Sequence, residues 1–101
     1  MVLDCHKYIK NISELEELGL KISHIMNMRV IKKTAFEGEK DPGFTVLIGI
    51  EYSSITLHHF YDKDIIFIDI LSCKPIDNKK LIDELKNECN IIRTSITERS
   101  D

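Results

Sequence analysis

No stretch of this 101-residue sequence holds the roughly 20 consecutive apolar residues that a membrane-spanning helix needs, so a helical span is not expected. The N-terminus, Met1-Val2-Leu3-Asp4-Cys5-His6, has no basic region followed by an apolar stretch, so no secretion signal is expected either. Neither sign of charge dominates. Fourteen Lys and Arg stand against 17 Asp and Glu, interspersed, for a net charge of −3. Such a surface lacks the basic stripe of a nucleic-acid or anionic-lipid binder, and neither partner is expected. Linkers, internal repeats and low-complexity segments are missing, which at this length implies one domain over residues 1–101. The three cysteines, Cys5, Cys73 and Cys89, cannot all pair, so reduced thiols in a cytoplasmic protein are the expectation. Two of them are expected to be buried as small apolar residues.

What is present is ordinary for a globular chain: 43% hydrophobic and 31% charged residues. A domain this small buries only about two-thirds of its unfolded surface, so an oligomeric contact would help it. A first strand is expected over Val2 to Ile9. Ser13-Glu14-Leu15-Glu16 reads as a capping box, and Leu15, Leu18, Ile22 and Ile25 recur at helical spacing, predicting a helix over 13–26. Strands are expected over Asn27 to Ala35, Phe44 to Tyr52, Ser53 to Phe60, Ile65 to Leu71 and Ile91 to Thr97. Gly38 to Gly43, containing Asp41-Pro42-Gly43, reads as a loop, and Tyr61-Asp62-Lys63-Asp64 as a hairpin turn. A second helix should start after Asp77 as N-cap and bury Leu81, Ile82, Leu85 and Cys89, while Glu98 to Asp101 reads as a frayed polar tail. The order β-α-β-β-β-β-α-β predicts an α+β two-layer sandwich, a mainly antiparallel sheet with two helices on one face.

One segment does not suit a plain sheet. From Phe44 to Phe60 every residue favours strand, yet strands usually run about 5 or 6 residues. No Asn-Gly, Asp-Gly or Gly-Pro turns the chain, and Gly49 alone is a weak breaker. Glu51-Tyr52-Ser53-Ser54 is the plausible bend, and a reversal without turn chemistry implies backbone strain of the kind found at functional positions. A simple bulge or an irregular turn is the plainer alternative.

The same segment carries a resemblance. Thr45-Val-Leu-Ile-Gly-Ile-Glu-Tyr-Ser53-Ser54-Ile-Thr-Leu-His58, then His59-Phe60-Tyr61-Asp62 and Ile68-Asp69-Ile70-Leu71-Ser72-Cys73, resembles the core of the prokaryotic S-adenosylmethionine decarboxylases. The family pattern is Glu-Ser-His-Ile-(Ser/Thr)-Ile-His-Thr-Trp-Pro-Glu followed by Asp-Val-Phe-Thr-Cys, and it aligns without a gap from Thr45 to Cys73. Four differences stand out. Tyr52 replaces the glutamate before the reactive serine, Ser54 replaces the histidine after it, and Phe60-Tyr61 replaces Trp-Pro. The nearest candidate for an adenine-stacking aromatic, Phe36, is out of register.

The resemblance implies a small-molecule enzyme that makes its own cofactor, a pyruvoyl group generated from Ser53. By that analogy Ser53 attacks the carbonyl of Tyr52, the cleavage site being Tyr52–Ser53. Thr45 offers a hydroxyl to the tetrahedral intermediate, and His58 removes the α-proton of residue 53. The pyruvoyl group then binds the substrate amine as a Schiff base and takes up the charge left by decarboxylation. Cys73 reprotonates the substrate carbon, Asp62 stands where a glutamate binds the ribose, and Phe60 lines the pocket. A homodimer is implied, with a pocket drawing on both protomers. Taken singly, each residue has a plainer role: a solvated serine, a core thiol, or a His58-His59 pair facing opposite sides of a strand and so unfit to share a metal. Two other functions stay open, a pyruvoyl decarboxylase of a smaller amino acid and an unprocessed, non-catalytic paralogue that binds a small molecule or partner subunit.

Overall fold

The structure, a computed structural model, describes residues 1–38 and 43–97. Eight elements follow in order: β1 (Val2–His6), α1 (Ile12–Ile25), β2 (Val30–Glu37), β3 (Gly43–Ile50), β4 (Ser53–Phe60), β5 (Ile65–Ser72), α2 (Asn78–Leu85) and β6 (Asn90–Ser95). The strands make one sheet in the order β2-β3-β4-β5-β1-β6, antiparallel throughout. This is the α+β sandwich that the element order implied. Helix α1 carries the chain from the interior strand β1 to the edge at β2. Four strands then meander back, and α2 returns the chain to β6 beside β1.

Period-two alternation decides which face the helices cover. Phe44, Val46, Ile48 and Ile50 of β3, Ile55 and Leu57 of β4, and Ile66, Ile68 and Ile70 of β5 are buried. They meet Leu15, Leu18 and Ile22 of α1 and Leu81 and Leu85 of α2 in one core. Each fully buried Leu or Ile stabilises the fold by about 1.5–3 kcal/mol before entropy is subtracted. The alternate residues, among them Thr45, Leu47, Thr56, His58, Phe67, Asp69 and Leu71, form a second sheet face that no described element covers. Leu47 and Leu71 stay exposed there.

Several boundaries differ from the expectation. Strand β1 stops at His6, and Ile9 enters the core from the connection. In place of the capping box expected at Ser13 and Glu16, the helix is capped two residues earlier, at Asn11. The Asn11 side chain accepts from the Glu14 amide at 3.0 Å, and the Glu14 carboxylate accepts from the Lys10 amide at 2.7 Å. Glu16 pairs instead with Lys33 at 3.2 Å. The exit from α1 uses Met26 and the left-handed Asn27 (φ 56°), so β2 starts at Val30 rather than at Asn27. Asp77 caps α2 as expected, accepting from the Lys80 amide at 3.1 Å, though Ile82 is only half-buried. Cys5 and Cys89 are buried, as two of the three cysteines were expected to be. Asp41 and Pro42 of the expected loop, and the tail from Glu98, lie outside the described residues. Among those residues no helix is long and apolar enough to cross a membrane.

Candidate active site

The long β run from Phe44 does reverse, and it does so at Glu51-Tyr52. Ile50 pairs with Ser53 across the β3–β4 hairpin, leaving those two residues as the whole connection. Two-residue hairpin loops normally use Asn-Gly or Asp-Gly because the backbone must enter the left-handed region. Here Tyr52 enters it, at φ 61°, without the glycine that would make it cheap. A bulky residue held there costs of order 1–3 kcal/mol, so its surroundings must hold it in place.

Those surroundings are specific. The Cys73 amide donates to the Tyr52 carbonyl oxygen at 2.8 Å, extending the β4–β5 ladder one step past Ser72. The Lys74 ammonium lies 4.1 Å over the Tyr52 ring. Glu51 donates its amide to the Arg29 carbonyl and faces the Arg29 guanidinium at 3.3 Å. The next residue, Ser53, is half-buried with its hydroxyl directed toward the helix side. That hydroxyl lies 2.9 Å from Ser72 Oγ and 3.2 Å from Met28 Sδ, either of which can accept from it. Ser72 in turn donates to the Lys74 carbonyl at 2.7 Å. Ser54 and Cys73 are exposed, so Cys73 is not a core thiol.

A second cluster lies at the other end of the hairpin. Thr45 and His58 are directly paired across β3 and β4, and Thr45 Oγ1 and His58 Nδ1 share a hydrogen bond of 3.0 Å. Phe36, paired with Thr45 from β2, and Phe67, paired with His58 from β5, flank them on the uncovered face. The His58 and Phe67 ring centroids are 6.2 Å apart. Phe60 is exposed on the same strand face, and Asp62 is exposed in the adjoining turn. His59 points the other way, into the core, stacked on Phe44 with Nε2 3.4 Å from Asp64. The two histidines therefore occupy opposite faces of β4.

The structure thus brings together Tyr52, Ser53 and Cys73, and separately Thr45 and His58, with Phe60 and Asp62 following further along the chain at that end of the hairpin. It does not bring the two groups together within one chain. Ser53 and His58 are five residues apart on one strand, about 16 Å of rise, and their side chains leave opposite faces.

Sequence reasoning missed three parts of this arrangement. Ser72 and the Cys73 amide could have been found by counting back equally from the Tyr61–Asp64 turn, which sets Ser53 opposite Ser72. Phe36, out of register along the chain, is in register across the sheet, directly opposite Thr45.

A family model described as S-adenosylmethionine decarboxylase matches residues 2–100. No curated protein sequence matches the chain significantly. Among solved structures, the adenosylmethionine decarboxylase from Aquifex aeolicus VF5 is similar, with a TM-score of 0.67 and 13% identity. The similarity covers 99% of this chain and 92% of that one. At such identity the likeness speaks for the fold alone.

Proposed function

The chain belongs to the S-adenosylmethionine decarboxylase family, and from that premise we propose a self-processing, pyruvoyl-dependent decarboxylase of S-adenosylmethionine that serves polyamine biosynthesis in the cytoplasm. The observation that carries the self-processing is the Tyr52 peptide. Its backbone is strained, its carbonyl oxygen already accepts from the Cys73 amide, and a serine follows it.

In the proposed first step, Ser53 Oγ bonds to the Tyr52 carbonyl carbon once its hydroxyl leaves Ser72 and Met28. The charge that builds on the oxygen faces a preplaced backbone donor, the arrangement that stabilises tetrahedral intermediates. Collapse breaks the C–N bond, the nitrogen takes the proton, and Tyr52 is left as an ester on Ser53. Release of the left-handed turn favours this direction. A base then removes the α-proton of residue 53, Tyr52 departs as a carboxylate, and hydrolysis of the resulting dehydroalanine liberates ammonia. The residue left at position 53 is a pyruvoyl group, whose ketone supplies the electron sink that loss of CO₂ requires.

His58 is the base in this reading, positioned by Thr45, and it reaches residue 53 only from a second copy of the chain. A homodimer packed through the uncovered sheet faces, with its twofold axis near mid-hairpin, sets the Thr45–His58 pair of one protomer against the Ser53–Cys73 end of the other. Exposed Phe36, Phe60, Leu47 and Leu71 give that contact its apolar area. Phe36 and Phe67 offer rings for a nucleoside base, Phe60 lines the pocket, Asp62 accepts from the ribose, and exposed Cys73 returns a proton to the substrate carbon.

The test is release of labelled CO₂ from carboxyl-labelled S-adenosylmethionine, with smaller amino acids in parallel. The expected result is release from S-adenosylmethionine, abolished by prior treatment with phenylhydrazine, which blocks ketones. Release from a smaller amino acid alone would change the substrate. No release from any would leave a non-catalytic paralogue.

A further inference from the structure

Outside the site described above, two nucleophilic side chains lie against each other in the core. Cys5 is fully buried in β1, and Cys89, only 8% exposed, immediately precedes β6. In the β1–β6 register Cys5 faces Ile91, which makes Cys89 its diagonal neighbour on the helix-side face. Cys89 also lines a cleft of about 450 Å³ formed by Lys86, Asn87, Glu88, Asn90 and Ile91, the turn from α2 into β6. Cys89 therefore borders an open cleft, and Cys5 lies deeper in the core with no exposure of its own.

The local charges favour reaction at Cys89. Its pKa is lowered, first by its neighbour Cys5 and also by the Lys7 ammonium, against the opposing effect of burial. Lys7 is anchored in place, its Nζ donating to the Glu88 carbonyl at 2.7 Å. The opposing Glu88 carboxylate is drawn off by Lys21 at 2.8 Å. The neighbouring Cys89 and burial push the Cys5 thiol up, and Cys89 Sγ lies 3.5 Å from the Leu85 carbonyl oxygen, to which it donates.

We propose that Cys5 and Cys89 form a peroxide-oxidisable dithiol, a modification site that closes to a disulfide between β1 and the α2–β6 turn. The oxidant is hydrogen peroxide entering by the cleft. The Cys89 thiolate attacks one peroxide oxygen, the O–O bond breaks, and with a proton the leaving oxygen departs as water, giving a sulfenic acid. The Cys5 sulfur then attacks the Cys89 sulfur, an S–S bond forms, and a second water leaves with the Cys5 proton. Diagonal neighbours are somewhat farther apart than a disulfide prefers, so the turn must move inward by about 1–2 Å. The turn residues Asn87 to Cys89 lie between α2 and β6, where such a shift breaks no sheet pairing. The proposal is independent of self-cleavage. Where the chain is cut after Tyr52, the bond would tie its two fragments together.

The test uses full-length protein carrying Cys73→Ser, which removes the exposed thiol and leaves only this pair. After hydrogen peroxide treatment, peptide mapping without reductant should find the segments around residues 5 and 89 joined, with the mass of two hydrogen atoms lost. Dithiothreitol should reverse the link. With Cys5→Ser added, Cys89 should stop at the sulfenic acid and be trapped by dimedone. Wild-type protein mapped in the same way should show the same 5–89 link, which guards against a folding defect in either variant. Two free thiols after treatment, a link between separate chains, or Cys89 oxidised to sulfinic acid beside a free Cys5 would each overturn the proposal.

Discussion

At Tyr52 a bulky side chain occupies a backbone region that suits glycine, and the carbonyl of that residue is the one an adjacent serine would attack. In the proposed cleavage, strain at this peptide raises the reactant and is released as the bond breaks. Tyr52→Gly should therefore slow self-cleavage by about tenfold, the effect of roughly 1.4 kcal/mol of lost strain. A time course followed by denaturing gel measures it, and an unchanged rate would mean the turn contributes no driving force. His58 and Cys73 should separate processing from turnover. His58→Ala is expected to accumulate uncut chain or an ester that hydroxylamine cleaves. Cys73→Ala is expected to cut itself and then lose 10²–10⁴-fold in decarboxylation, about the worth of a general acid. Because Cys73 is exposed, its removal should leave the melting temperature near wild type. Normal turnover by Cys73→Ala would remove the thiol from the mechanism. The serine–histidine–cysteine spacing was readable at this scale because residue identity carries it. Ser72 was not, because its contact with Ser53 depends on a cross-strand register rather than on nearness in the chain.

The elements were legible where periodicity was strong and less so where two local signals competed. Asn11-Ile12-Ser13-Glu14 and Ser13-Glu14-Leu15-Glu16 both offer a cap with a glutamate three residues on. The earlier start prevails, and it adds Ile12 to the residues packed on the core. Asn11→Ala should then cost about 1 kcal/mol, whereas Ser13→Ala should stay within about 0.5 kcal/mol. Urea unfolding of the two variants checks the order, and the reverse order would contradict the cap assignment. The seat of α1 on the sheet makes a second case. A methyl group at Gly19 would lie 2.4 Å from Ile48 Cδ1 and 3.0 Å from Leu57 Cδ1. Gly19 thus lets the helix approach β3 closely, and Gly19→Ala should destabilise by about 1–3 kcal/mol through overpacking. Ile48→Val removes the nearer clashing atom, so the double variant should recover part of the loss. If the two effects simply add, the contact is not what sets the helix spacing. No periodicity in α1 announces this approach, since it arises from which sheet residue lies beneath the glycine.

For the whole molecule, the division of the site sets the question. One hairpin holds the Tyr52–Ser53 peptide at one end and the Thr45–His58 pair at the other, and the rigid strand between them keeps them apart. A homodimer resolves this, and sedimentation over a wide concentration range should show one. Complementation is more demanding. Co-expressed His58→Ala and Cys73→Ala chains, each inactive alone, should form mixed dimers with one intact site. Random pairing makes half the dimers mixed, so about a quarter of wild-type activity should return. No recovery would place each site within a single chain. The antiparallel, two-layer form was legible from the element order, whereas the division of the site appears only once the strand faces are assigned.

The proposed function depends most heavily on the reactivity of the Tyr52–Ser53 bond, and an intact-mass spectrum of the purified protein under denaturing conditions tests it most directly. The expected spectrum contains two chains, residues 1–52 ending in a free carboxylate and residues 53–101 beginning with a pyruvoyl group that resists Edman sequencing. A single full-length chain that persists through prolonged incubation would contradict the account.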